Sequence, residues 1–289
     1  MYSSGVSRRT ALAAMAGTSG ALVLGAGAAP GDGSPTPRKG NINHSVCKWC
    51  YKDMSLEELC GHAVSLGITA IDLLPVKDLP TLKPFGLVCP MISGPGNITN
   101  GWNDPALHDG LVENSEKILP QIAEAGMPNM IVFSGNRRDL SDAEGIRNCA
   151  KGLKRITPLA ESLGVNIVME LLNSKVNHPD YQCDKSAWGV ALCDEVASDR
   201  FKLLYDIYHM QIMEGDVIQT ITDYHPYFAH YHTGGVPGRA EIDDTQELYY
   251  PAICKAIVAT GYTGFVAQEF IPKNDPLTSL RHSIDVCDV

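Results

Sequence analysis

Val165-Asn-Ile-Val-Met-Glu170 is a short apolar run, rich in β-branched residues, that closes on a carboxylate. Three later runs have the same form: Phe201-Lys-Leu-Leu-Tyr-Asp206, Phe228-Ala-His-Tyr-His232 and Phe265-Val-Ala-Gln-Glu269. Each has the length and composition of a buried strand and finishes in a carboxylate or an imidazole. Their polar ends stand 36, 26 and 37 residues apart, room for one strand, one helix and two connections each time. In a parallel sheet built of such repeats, the four polar side chains share one edge.

The same alternation extends in both directions from these four runs. From residue 41 onward, strand candidates at 43–47, 70–74, 86–92, 130–134, 166–171, 202–207, 228–232 and 265–270 alternate with segments of helical period. Ser55-Leu-Glu-Glu58 opens a helix as an N-cap with acids in its first turn, and Gly67 closes it. Ala125-Gly126, Ser162-Leu-Gly164 and Ala259-Thr-Gly261 repeat the sequence of helix, glycine and apolar strand. Eight such units without a break in composition predict one α/β domain, a single closed (β/α)8 TIM barrel over residues 43–289. An open doubly wound sheet is the rival, but no GxGxxG follows the first strand.

A closed barrel would bring Glu170, Asp206, His232 and Glu269 together at its C-terminal mouth, where such barrels carry their chemistry. Read singly, each is equally a cap for the next helix or a surface ion pair. Their equivalent positions in four successive repeats favour a shared site. Three carboxylates in a partly desolvated place repel one another unless a proton or a cation compensates them. A divalent metal is the simplest compensation. Three oxygens and one imidazole nitrogen suit Mn²⁺, Mg²⁺ or Co²⁺, with Zn²⁺ less favoured in the absence of a cysteine ligand.

Met169-Glu-Leu-Leu-Asn173, Tyr205-Asp-Ile-Tyr-His-Met210, His232-Thr-Gly-Gly-Val-Pro-Gly-Arg239 with Glu247-Leu-Tyr-Tyr250, and Gln268-Glu-Phe270 together resemble the hydroxypyruvate isomerase family. That family belongs to the xylose-isomerase-like sugar isomerase and epimerase barrels, and the resemblance covers residues 41–289. It implies that Glu170, Asp206 and Glu269 bind a divalent cation and that the two glutamates are the acid/base pair. The fourth ligand is often Gln in hydroxypyruvate isomerases and His in ketose 3-epimerases; here it is His232. The implied reaction moves a proton between neighbouring carbons through a cis-enediolate, turning hydroxypyruvate into tartronate semialdehyde. Alternatives are a ketose 3-epimerase, a lyase acting on 3-keto glycosides, and a noncatalytic periplasmic sugar-binding barrel. A nuclease on the same barrel would need a richer histidine cluster and a basic groove.

Further residues are candidates for substrate contact. His209 follows Asp206 by three residues, and Arg239 lies in a Gly- and Pro-bounded loop where its planar fork would clamp a carboxylate. Trp49 and Trp102 are candidate walls that exclude water from the enediolate. His230 lies two residues before His232, on the same face and one layer deeper, and reads as a core histidine. Trp188 reads as helix packing, and Glu247 and Tyr250 as the start of a helix.

The chain carries 23 Lys and Arg against 33 Asp and Glu, a formal charge of −10. That balance argues against a nucleic-acid partner held by a broad basic face and leaves a small-molecule substrate as the expected one. A homo-oligomer is compatible with it. Arg8 and Arg9 in Ser7-Arg-Arg-Thr-Ala-Leu12 precede an uncharged Ala- and Gly-rich run from Ala11 to Ala29. Residues 1–28 read as a twin-arginine export signal and 29–42 as a flexible linker, which predicts a periplasmic protein with no membrane contact after cleavage. The nine cysteines are odd in number and scattered, against a disulfide scaffold, and Cys47-Lys-Trp-Cys50 lacks a second CxxC to complete a zinc site.

Overall fold

The computed structural model describes residues 38–289. The segment expected to be an export signal, its expected cleavage point and the expected linker up to residue 37 lie outside the described residues. Eight strands form one parallel sheet: β1 (Asn43–Cys47), β2 (Ala70–Asp72), β3 (Ile92–Ser93), β4 (Asn129–Val132), β5 (Asn166–Glu170), β6 (Phe201–Asp206), β7 (Phe228–Thr233) and β8 (Phe265–Gln268). They are ordered β2-β1-β8-β7-β6-β5-β4-β3. The ring is completed between β2 and β3 by backbone hydrogen bonds, with Ile71 donating to Val88 (3.0 Å) and Leu73 to Met91 (2.9 Å). The chain is therefore the (β/α)8 barrel its sequence predicts.

Seven of the strands lie where the apolar runs put them, within a few residues at the ends. The third differs: the run at 86–92 is ladder-paired only from Ile92, apart from a single bridge at Val88. Pro90 has no N–H to give a ladder, and Gly86 takes a left-handed φ of 68°. A second difference concerns the N-terminal linker. Residues 38–42 are tied down, with Arg38 donating to the Leu66 carbonyl (3.0 Å) and Asn41 to that of Val289 (2.8 Å).

The helical shell contains α1 (Leu56–Ser65), α2 (Leu79–Leu82), α3 (His108–Glu124), α4 (Asp142–Leu153), α5 (Thr157–Leu163), α6 (Ser186–Val196), α7 (Ile207–Met213), α8 (Val217–Tyr224), α9 (Tyr250–Ala259) and α10 (Pro276–Cys287). Ser55 caps α1 through a capping box with Glu58, as its sequence predicts. Alternate strand residues point inward. Val168 and Leu204, two positions below Glu170 and Asp206, join Ile131 and Met91 in a buried layer inside the barrel. Their strand neighbours Ile167, Met169, Leu203 and Tyr205 belong to the larger core. All nine cysteines are buried and free. Among the described residues no helix is long and apolar enough to cross a membrane.

Candidate functional site

Strand register alone brings part of the site together. Asp206 on β6 pairs directly with His232 on β7, and Thr233 pairs with Gln268, so Glu269 follows at the next position of β8. Glu170 ends β5, and its carbonyl accepts from the hydroxyl of Tyr181 (2.9 Å). The outcome is that ligand atoms of Glu170, Asp206, His232 and Glu269 all lie within 4.8 Å of one another, and all four residues are buried. His232 Nδ1 is 2.7 Å from Glu269, 3.5 Å from Glu170 and 4.0 Å from Asp206. It is buried and has no hydrogen-bond partner of acceptable geometry. An orphaned imidazole nitrogen facing three carboxylates fits the coordination shell of a divalent cation.

Asp206 satisfies both readings of a strand-end carboxylate. One oxygen caps α7 by accepting from the His209 amide (3.0 Å), while the other faces His232.

The carboxylates differ in environment. Burial pushes Glu170 up, with the charge of Glu269 adding to the shift. Burial also drives Asp206 up to about 7, although Arg239 opposes it. Burial would raise Glu269 too, but Arg239 and His232 more than offset it and hold that carboxyl well below the ordinary range. Arg239 and a protonated His232 set two positive charges against three buried carboxylates, which leaves one negative charge uncompensated.

Arg239 reaches the site from the loop after β7 with a left-handed φ of 55°, strained for a side chain of its size. Its Nε donates to the Glu269 carbonyl (3.0 Å), Nη1 contacts His209 Nε2 (2.6 Å), and Nη2 bonds Asp206 (2.8 Å) and the Glu269 carboxylate. Four of its five N–H groups thus already have protein partners, so the expectation of a two-pronged clamp on a substrate carboxylate needs correction. A single N–H remains for a ligand. Tyr250, at the start of α9, holds this loop by bonding both the N and the O of Gly234 at 2.8 Å.

Trp49 lies at the site as expected: it is 43% exposed, and its indole N–H donates to Glu269 (2.6 Å). The Arg239 guanidinium lies 5.4 Å from its ring centre and 5.1 Å from that of Tyr208. His209 is also present but fully buried, with Asn173 Nδ2 2.6 Å from its Nδ1 and burial pushing its pKa far down.

Trp102 is elsewhere. It is fully buried with its ring against Gly152 of α4 and 6.0 Å from His108, so it is a core residue of the helical shell and not a wall of the site.

The sequence reading missed Asp72, Ser45 and Asn173. Asp72 is the one carboxylate in the apolar run Ala70-Ile-Asp-Leu-Leu74, a signal that was present in the strand pattern. Burial would raise its pKa, but His230 and His232 overcome that and hold it at about 2. On the same face, a cleft of about 450 Å³ is lined by Leu73, Ser93, Asn97, Ile98 and Phe133 beyond the ends of β2, β3 and β4.

Comparison with known proteins agrees with this architecture. A family model described as the xylose isomerase-like TIM barrel matches residues 62–288. The 2-oxo-tetronate isomerase of Cupriavidus necator is 33% identical over 114 residues, which are 39% of this chain and 43% of that protein. Hydroxypyruvate isomerase of Escherichia coli K12 is 32% identical over 114 residues, 38% of this chain and 44% of that protein. The chain thus matches less than half the length of these two relatives. Among solved structures, one described as AP endonuclease, family 2, from Brucella melitensis superposes with a TM-score of 0.75. It covers 85% of this chain and 97% of its own at 21% identity, a likeness of fold.

Proposed function

We propose, from the premise that this chain belongs to the xylose isomerase-like TIM-barrel family, that it is an isomerase interconverting hydroxypyruvate and tartronate semialdehyde. The observation that carries the reading is the convergence of Glu170, Asp206, His232 and Glu269 within 4.8 Å at the barrel mouth. Isomerases acting on small hydroxy-keto acids among its relatives support the substrate class. Glu170, Asp206, His232 and Glu269 would hold a divalent cation, Mn²⁺ or Mg²⁺ by the oxygen-rich donor set, which supplies a Lewis acid to polarise a carbonyl.

The chain's own residues supply the rest. One of Glu170 and Glu269 removes a proton from C3 of hydroxypyruvate, and the other delivers a proton to C2. The hydroxyl proton passes from O3 to O2, so the product is the isomer with no net gain or loss. Arg239 keeps Glu269 anionic and aimed through its bonds to that residue's carboxylate and carbonyl, and its remaining N–H is available to the substrate. Trp49 shields Glu269 on the solvent side and fixes one of its oxygens.

The test is incubation in deuterated water with Mn²⁺ or Mg²⁺ and a panel of hydroxypyruvate, free ketoses and 3-keto glycosides. Conversion of hydroxypyruvate with solvent deuterium at C2 of the product is expected. Glu170→Gln and Glu269→Gln should each lower it by about 10²- to 10⁴-fold, the usual contribution of a positioned proton-transfer group. Exchange with ketoses alone would make the protein an epimerase, and no exchange with any substrate would leave a binding barrel.

A further inference from the structure

Inside the barrel, the layer beneath the carboxylates is apolar on β5 and β6, where Val168 and Leu204 occupy it. On β7 the equivalent position is His230, and it meets Asp72 from β2 across the barrel. Both are buried, as is Ser45. Three donors converge on the Asp72 carboxylate. Ser45 Oγ lies at 2.6 Å from one oxygen, with His230 Nε2 at 2.5 Å and His232 Nε2 at 3.4 Å from the other. Apolar side chains at these positions would cost the fold little and would often stabilise it, so a buried carboxylate–imidazole contact here calls for another reason. Leu73, the next residue, adopts φ 62°, a left-handed conformation that is strained for a residue with a side chain.

We propose that Asp72, anchored by Ser45 and His230, positions His232 by accepting its Nε2 proton, which aims Nδ1 at Glu170, Asp206 and Glu269 as the atom that would meet a cation. The proposal rests on the reading of His232 as a cation ligand. A carboxylate is an acceptor only, so an imidazole nitrogen turned toward it carries the proton. By the same rule Nδ1, 2.7 Å from Glu269, carries a proton while no cation is bound, and a cation would take the place of that proton while Asp72 keeps the one on Nε2. Partners on the far nitrogen orient ligand histidines and raise their basicity in metal sites generally, and losing one typically weakens the metal 10- to 100-fold. Asp72 and His230 touch no reacting atom, and their role is positional. Asp72, His230 and His232 also lie within 4.8 Å of one another, so a second cation held by these three is the rival account.

Two measurements decide between them. Imidazole ¹⁵N shifts of the protein loaded with diamagnetic Mg²⁺, assigned with His230→Gln and His232→Ala, report which nitrogen of His232 keeps its proton. Mn²⁺ titration followed by the electron paramagnetic resonance of free ion gives affinity and stoichiometry. The expected results are an Nε2–H tautomer in the wild type, one Mn²⁺ per chain, and a 10- to 100-fold weaker site in Asp72→Asn. Ser45→Ala should keep the tautomer and weaken Mn²⁺ less.

An Nδ1–H tautomer, an Asp72→Asn affinity within twofold of wild type, or a second Mn²⁺ lost in His230→Gln would each overturn the proposal. If His232→Ala binds Mn²⁺ as tightly as wild type, the ligand reading itself falls, an outcome separate from a silent Asp72. Should Asp72→Asn fail to fold, the wild-type tautomer and the His230→Gln titration still decide.

Discussion

Arg239 shows how a residue's identity can be read correctly while its partners are not. A guanidinium near an acidic site was visible in the motif, but its bonds to Asp206, Glu269 and His209 depend on a loop that bends back through a left-handed residue. Lysine is a point charge without a planar fork, so it cannot hold two carboxylates and an imidazole at once. Arg239→Lys should therefore lose turnover by about 10²-fold or more, a range seen when one preorganised charged donor is removed. Because Arg239 aims Glu269, the loss should extend to neutral as well as carboxylated substrates. Steady-state kinetics on both classes check this, and a loss confined to carboxylated substrates would restore the clamp. Glu170, Asp206, His232 and Glu269 were legible because each ends an apolar run. Asp72 was hidden because a carboxylate within a strand carries no sign of which residue across the barrel it meets.

At the scale of elements, the helical shell depends on close approaches that periodicity does not reveal. A Cβ added to Gly152 of α4 would lie 2.7 Å from the Trp102 ring and 2.8 Å from His108. Alanine would improve the helix by about 1 kcal/mol, but overpacking a fully buried indole costs about 1–3 kcal/mol. Gly152→Ala should therefore be neutral to destabilising by as much as about 2 kcal/mol, and a higher urea midpoint would refute the clash.

His44 on β1 is a second case. It is buried without a hydrogen bond and lies 3.7 Å from Asp288 beyond the end of α10. Burial lowers its pKa from 6.5 to about 4. The unfolded chain thus binds this proton first, and stability present above about pH 6.5 drains away as pH falls toward about 4. That shift corresponds to on the order of 3 kcal/mol. His44→Leu should flatten the acid limb of the stability curve in this window, as measured by urea unfolding at each pH. An unchanged slope would mean that His44 stays charged in the fold.

For the whole molecule, the proposed reading of three carboxylates gathered in one buried mouth makes the fold and a bound cation interdependent. A cation that binds only the folded state at about 100 times its dissociation constant stabilises by about 2.7 kcal/mol. At about 2–4 °C per kcal/mol, Mn²⁺ added to chelator-treated protein should raise the melting temperature by roughly 5–10 °C. His232→Ala should blunt the rise, and a flat response to both Mn²⁺ and Mg²⁺ would count against the metal reading. The amino-acid sequence by itself determined the barrel and the four strand ends at its mouth, because strand length, helical period and repeat spacing are local properties carried by the order of residues. Only the tertiary structure decided that Trp102 belongs to the shell, that Arg239 is already engaged, and that Asp72 from β2 faces His230 and His232 from β7. Contacts between residues 158 and 160 positions apart arise when the ring closes, and nothing local encodes which inward side chains then meet across it.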